Sequence, residues 1–329
     1  MNNKRYIAKP FIKWAGGKGQ LLPTLESFLP SNFSQLEDMT YIEPFIGGGA
    51  MLFYMLQAYP NIKHAVINDL NPDLAKAYRT VKSVPEVLVQ ALRLIQKEYL
   101  GISEEEKRKD FFLEARNRFN EGGLSAVDNT MYLIFLNKTC FNGLYRVNSK
   151  GKFNVPFGRY AHPLICDEET IYADSELLQK VEILDGDFEQ TESYVVSPTF
   201  VYCDPPYRPL DATSSFNSYA KETFDDVEQI RLKKFVDRLS SRNCAVMLSN
   251  SDCKGRNPND TFFDDLYRNY IIERVYASRF VNANPAKRGK LTELLIRNYA
   301  KAMPANNRQN NFNFNINRIH EQSTYAGTV

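Results

Sequence analysis

Short runs rich in β-branched and aromatic residues recur at Tyr41–Phe45, His64–Asn68, Val181–Leu184, Phe200–Cys203, Ala245–Ser249, Ile271–Ala277 and Leu291–Arg297. All are short, and most carry so few polar positions that they read as strands buried inside a sheet rather than as surface elements. Helix-permissive stretches alternate with the first of them. Ala50–Tyr59 is apolar, and Asn71–Lys82 opens with Asn-Pro, a helix-start signal with proline in the first turn. Strand–helix–strand alternation predicts an α/β fold with a doubly wound, mostly parallel sheet.

From about Pro85 to Ile171 the pattern becomes helical. Ser103–Glu106 predicts a capping-box start, and Lys107-Arg108-Lys109 behind those acids predicts a solvated face paired at i,i+4. Next comes "CFNGLYRVNSKGKFNVPFGRY" (140–160), where Ser149-Lys150-Gly151 separates two short segments and predicts a β-hairpin. Residues 1–84 and 172–300 are therefore expected to form the sheet domain, with 85–171 as an insertion. The Asn-rich stretch 301–329 has few aliphatics and is expected to be disordered.

Composition narrows the function. The 329 residues carry 41 Lys+Arg against 39 Asp+Glu, a net charge of +2. Any nucleic-acid contact must come from a local basic surface rather than bulk charge. Five scattered cysteines and three histidines offer no zinc-ligand spacing. Packed, reduced thiols in a cytoplasm fit them best. The N-terminus has no apolar segment of signal-peptide type, and no run approaches the roughly 20 apolar residues of a membrane span. A soluble, intracellular protein is expected.

Three segments carry candidate chemistry. In "YIEPFIGGGAMLF" a strand leads through Gly47, Gly48 and Gly49 into a helix, so backbone can pass close to a ligand at a positive helix end. Asp69 closes the next strand, where an acid can accept ribose hydroxyl protons. Capping of the following Asn-Pro helix is the competing role. Upstream, "FIKWAGGKG" places Trp14 and Lys18 around two glycines. Lys18 can meet a ligand carboxylate, although an ordinary N-terminal turn with a half-buried Trp is the simpler reading of the segment alone.

In "TFVYCDPPY" a buried strand ends in Asp204, Pro205 and Tyr207. A carboxylate and a rigid carbonyl can both accept from one exocyclic amine while its flat base lies on the tyrosine. That arrangement localises the amine lone pair and stabilises the charge developing during attack. A proline-rich strand exit with a packed tyrosine is the alternative.

Taken in order, "KWAGGK", "EPFIGGGAMLF", "INDLNPDL", "GDF" (186–188) and "DPPY" resemble the Dam-type (D12 class, α group) DNA adenine N6-methyltransferases, from about Pro10 to Tyr299. The resemblance implies a Rossmann-like S-adenosylmethionine-dependent methyltransferase sheet with an inserted helical and hairpin DNA-recognition domain. It puts Trp14, Lys18, the Gly47–Gly49 turn, Asp69 and Asp204 around S-adenosylmethionine. Asp187 and Phe188 would line the cofactor adenine, the acid accepting from its amine.

By the same resemblance Asp204 and Pro205 would orient the target amine, with Tyr207 stacked on the extruded adenine. Transfer would be direct, with no metal. The stretch 140–160 resembles the recognition domain of members that modify the adenine of GATC. It assigns Arg146 to a guanine, Asn142, Leu144 and Pro156 to other recognition contacts, Arg159 to phosphate and Tyr160 to a wedge in the duplex. Double-stranded DNA is the implied partner, and a cognate restriction endonuclease a genetic one. Methylation of cytosine N4 or of adenine in RNA, or a silent DNA-binding module, stay open on the residues alone.

Residues 208–224 are expected to be a lid that orders around an extruded base. Lys287, Arg288 and Lys290 form a second basic segment, as compatible with a surface turn as with phosphate binding.

Overall fold

The computed structural model describes residues 7–209, 224–277 and 291–300. The chain runs α1 (Leu22–Glu26), β1 (Met39–Glu43), α2 (Ala50–Ala58), β2 (Ile62–Asp69), α3 (Pro72–Ser83), α4 (Pro85–Leu100), α5 (Glu105–Glu121), α6 (Ala126–Thr139), α7 (Glu168–Leu178) and β3 (Val181–Asp185). It continues through β4 (Thr199–Cys203), α8 (Asp226–Ser241), β5 (Ala245–Ser251), α9 (Cys253–Arg256), α10 (Phe262–Leu266), β6 (Ile271–Ala277) and β7 (Leu291–Arg297). The seven runs read as strands are the seven strands, with ends shifted by a residue or two.

They form one sheet in the order β3-β2-β1-β4-β5-β7-β6. The pairs β1–β2, β2–β3, β1–β4 and β4–β5 are parallel, whereas β7 runs antiparallel to both β5 and β6. From β1 the chain winds outward through β2 and β3, then returns to lay β4 on the other side of β1. The crevice between the carboxyl ends of β1 and β4 is therefore the topological switch point, where such sheets bind ligands.

Strand residues alternate between two cores. Tyr41, Phe200, Tyr202 and Met247 pack on the face shared with α2, α3 and the helices between β2 and β3. Ile42, Val201, Cys203, Val246 and Leu248 pack on the other face, against Leu232, Phe235 and Leu239 of α8. Both faces are apolar, which is why these strands lack polar alternation.

Helices α4 to α6 fill the middle of the chain and continue the first core, and α7 runs across residues 171 and 172. Asn71 caps α3, its side chain accepting from the amides of Asp73 and Leu74 at 3.0 and 3.3 Å. The expected capping box at Ser103 does not form. Helix α5 begins at Glu105 with Glu104 at its N-cap. Separately, Arg108 folds back and donates through Nη1 to the carbonyls of Ile102 and Ser103 at 2.9 and 3.1 Å, and the first amides of α5 stay without a side-chain cap. Lys107 and Lys109 pair with Glu104 and Glu106 at i,i+3, one residue closer than expected.

The hairpin at 146–154 is closed by a bridge between Val147 and Phe153 and by Asn148 N–H donating to Lys152 O at 2.9 Å, with Gly151 at φ +72°. All five cysteines are buried and free. Most of the expected lid (210–223), the second basic segment (Lys287, Arg288, Lys290) and the stretch 301–329 lie outside the described residues.

Candidate active site

The glycine turn and the Asp-Pro-Pro-Tyr segment leave adjacent strands on the same side of the sheet. Gly47 and Gly49 have φ of +48° and +74°, the left-handed region where a side chain is strained. Space forbids a side chain too, since a Cβ on Gly49 would sit 2.5 Å from the Tyr78 hydroxyl and one on Gly47 2.9 Å from the Trp14 ring. Helix α2 starts directly at this turn with no side-chain cap, so its amino-terminal end faces the crevice.

Asp69 ends β2 beside the turn. Its Oδ2 accepts from Gly47 N–H at 3.0 Å and its Oδ1 from Asn71 N–H at 2.9 Å. Burial raises its pKa, and those two amides oppose the rise. The cap of α3 is Asn71 rather than Asp69, so the acid is free of capping duty. A carboxylate has about four acceptor positions, and two are used here. The second lone pairs suit a diol such as ribose.

Trp14 packs over Gly47 and Gly48 and stacks on Tyr145, with ring centroids 4.9 Å apart and planes 22° apart. Tyr145 is the neighbour of Arg146 in the chain. Sequence reasoning missed this residue, which joins the recognition stretch to the glycine turn.

Asp204 and Lys18 form an ion pair, Nζ to Oδ1 2.9 Å, and Lys18 is only 6 % exposed. Lys18 Nζ also donates to Gly16 O at 3.1 Å, lies 4.0 Å from Glu293 Oε2 and sits over the Tyr207 ring at 4.5 Å from its centroid. Tyr207 Oη donates to Glu293 Oε2 at 2.8 Å. Burial raises the Asp204 pKa, while Lys18 pulls it down. Asp204 Oδ1 is buried and, beyond that ion contact, has no hydrogen-bond partner among the described residues.

Glu43, at the end of β1, accepts from the Tyr41 hydroxyl at 2.5 Å. Burial pushes its pKa up to about 8, helped by the charge of Asp204 and opposed by the Tyr41 hydrogen bond. Neither Glu43 nor Glu293 was found by sequence reasoning. The available signal was a lone acid in each apolar strand, at "YIE" and "LTELL".

The loop after β4 is clamped. Gln229 Nε2 donates to Pro206 O at 3.2 Å, Asn250 Nδ2 donates to Gln229 at 3.0 Å, and Arg208 pairs with Asp226 and Asp260 at 2.7 and 2.6 Å. Among the described residues no donor occupies the Pro205 carbonyl. Asp204 and that carbonyl thus offer acceptor capacity beside an aromatic ring.

Asp187 and Phe188 follow β3. Phe188 is buried against Phe45 and Phe235, with the Arg231 guanidinium 4.3 Å above its ring. The Asp187 carboxylate binds Arg231 through both oxygens, at 3.0 and 2.7 Å. Arg231 holds the Asp187 pKa down. The acid expected to accept from the cofactor adenine is already engaged by a guanidinium, which leaves it ionised and with part of its acceptor capacity.

The expected DNA readers lie together on one exposed stretch. Arg146 is fixed by Asn154, with Nε donating to Oδ1 at 2.8 Å and Nη2 to the backbone carbonyl at 3.3 Å. Asn142 and Arg159 have φ of +57° and +61°. Leu144 is half-buried, Pro156 is exposed, and its carbonyl accepts from Phe141 N–H at 2.8 Å. Tyr160 is exposed while its carbonyl accepts from Tyr99 Oη at 2.7 Å.

Among the described residues no His, Cys, Asp and Glu groups are arranged to hold a metal, and no helix is long and apolar enough to cross a membrane.

Comparison with known proteins agrees with this geometry. Residues 14–280 match the model of the D12 class N6 adenine-specific DNA methyltransferases. The chain is 48% identical over 294 residues to the Type II methyltransferase M.MjaIII of Methanocaldococcus jannaschii, covering 88% of this chain and 99% of that protein. It is 38% identical over 296 residues to the Type II methyltransferase M1.LlaDCHI of Lactococcus lactis subsp. cremoris, covering 88% and 95%. It is 31% identical over 288 residues to the DNA adenine methylase of Vibrio cholerae, covering 87% and 95%. A match over residues 14–280 of an α/β chain, with relatives 31–48% identical along nearly their whole length, means that this protein belongs to the D12 class of N6 adenine-specific DNA methyltransferases.

Proposed function

We propose that the protein methylates adenine N6 within GATC in duplex DNA, with S-adenosylmethionine as the methyl donor and the target base extruded from the helix. The observation that carries this reading is the gathering of Asp204, the open Pro205 carbonyl and the Tyr207 ring beside the glycine turn and Asp69. The cofactor supplies an electrophilic methyl group. Asp69 would hold its ribose, the Gly47–Gly49 turn would pass beneath it, Lys18 would meet its carboxylate, and Trp14 and Phe188 would bound the pocket. Asp187, held by Arg231, would face its adenine.

Asp204 and Pro205 O accept both amine protons of the target adenine, so its lone pair turns towards the donor. Holding both reactants in one crevice removes much of the entropic barrier. Extruding the base costs a few kcal/mol, which stacking on Tyr207 partly offsets. Residues 85–171 serve as the recognition insert, with Arg146 reading a guanine and Asn142, Leu144, Pro156, Arg159 and Tyr160 completing the contacts. The GATC assignment rests on likeness of residues 140–160 to GATC-modifying members and on relatives named DNA adenine methylase. The names of two Type II relatives support a cognate restriction endonuclease as genetic partner.

The test is to express the protein and its Asp204→Ala form in cells lacking adenine methylation and to map modified bases across the genome. N6-methyladenine at GATC only with the active form is the expected result. Modification at another sequence overturns the GATC assignment, and label on cytosine overturns the target base.

A further inference from the structure

Two features of the proposed base seat are occupied by one side chain. The Lys18 ammonium contacts the Asp204 carboxylate at 2.9 Å and lies over the Tyr207 ring at 4.5 Å. An amino group at Asp204 above an aromatic face is also what a captured adenine would present there. Both cannot fit, because stacked rings approach to roughly 3.5 Å and leave no room for an ammonium between them.

The lysine is well held where it is. Its Nζ donates to Gly16 O, it is buried, and the ring beneath it is tethered through its hydroxyl to Glu293. Leaving Asp204 buried without a cation or donor would be costly, so the empty enzyme has reason to keep Lys18 in place. Yet Lys18 is also the residue whose ammonium would meet the carboxylate of the cofactor.

We propose that Lys18 is a placeholder in the target-base seat, drawn off Asp204 and Tyr207 by the cofactor carboxylate, so that base capture requires prior cofactor binding. The inference rests on the functional reading above and adds an order to it. Charges balance through the exchange. Lys18 trades one carboxylate for another, and Asp204 accepts a hydrogen bond from the base amine in place of the ammonium, the other amine N–H going to the Pro205 carbonyl.

The experiment follows base extrusion rather than turnover. A duplex with 2-aminopurine in place of the methylated adenine is mixed with the enzyme alone, with S-adenosylhomocysteine, or with 5′-methylthioadenosine at a concentration shown by calorimetry to saturate. The last ligand keeps the nucleoside and thioether but lacks the amino-acid carboxylate. Fluorescence is expected to rise roughly tenfold with S-adenosylhomocysteine and to stay within about twofold of the free duplex in the other two cases. Lys18→Met should give the rise with no ligand at all.

An equal rise for the enzyme alone, or with 5′-methylthioadenosine, overturns the placeholder. These arms use the unmodified protein, so they decide the matter even if Lys18→Met folds poorly. Methyl transfer to the unsubstituted duplex is measured alongside. Absence of transfer sinks the functional reading, whereas transfer combined with carboxylate-independent extrusion sinks the placeholder alone.

Discussion

Lys18, Glu43 and Glu293 are buried, and with Asp204 and Tyr207 they come from four separate parts of the chain. Asn142, Arg146, Pro156, Arg159 and Tyr160 are exposed and come from one continuous stretch. The first region fixes its groups with ion pairs and short hydrogen bonds in a desolvated crevice. The second is pinned by single bridges at Val147–Phe153 and Cys140–Phe157 and leaves its side chains in water. Charges that act on a reacting atom are strongest where water is excluded. Groups that read DNA must instead reach outward and be free to exchange water for bases and phosphates. Substitutions in the two regions should therefore fail differently.

The largest effect is expected at Asp204. Asp204→Ala should lower kcat by about a thousandfold or more, while DNA affinity by filter binding stays within about twofold. Undiminished turnover would remove the carboxylate from the reaction. Glu43 gives the buried region a pH signature. Its folded-state pKa of about 8 lies above its unfolded value of 4.5, so folding takes up a proton at neutral pH. Stability then falls as pH rises from the lower value towards the upper. Glu43→Gln keeps an acceptor for Tyr41 and removes the titration. Its unfolding free energy should match the parent's near pH 4 and exceed it increasingly up to pH 8, by an amount on the order of a few kcal/mol. A constant difference across that range would show that Glu43 does not carry the proton.

Effects in the exposed region should be smaller and fall on selectivity. Arg146→Ala should cost roughly 1–3 kcal/mol of discrimination at one base pair, read as kcat/KM across substituted duplexes. Asn154→Ala should reproduce part of that loss, because Asn154 holds the guanidinium. Smallest of all, Arg159→Ala should reduce the slope of log affinity against log salt by about 0.9 without altering sequence preference. A change of preference would make Arg159 a base reader and blur the division between positioning and reading contacts.

The strands were legible in the sequence because a sheet buried on both faces leaves unbroken apolar runs. The start of α3 was legible because Asn-Pro places a proline in its first turn, but the cap is Asn71 and not the acid Asp69. The capping box at Ser103 was misread, since α5 starts one residue later than the spacing suggests, with Glu104 at its N-cap and no side chain accepting from its first amides. Asp204, Pro205 and Tyr207 stood out as an acid and two prolines at a strand end. Glu43 and Glu293 did not, because a single acid in a strand looks the same whether it faces water or another side chain. Whether Asp187 meets Arg231 is likewise a matter of how α8 lies against the sheet, which no local pattern encodes.

One consequence follows from the position of β7. It inserts between β5 and β6 and carries Glu293, the anchor of Tyr207, back to a lysine near the start of the chain. A ribosome-bound chain that has not yet emitted Leu291 lacks the carboxylate that holds the Tyr207 hydroxyl. Synthesis of β7 is thus what completes the contacts around Lys18 and Tyr207, and half-made molecules lack them.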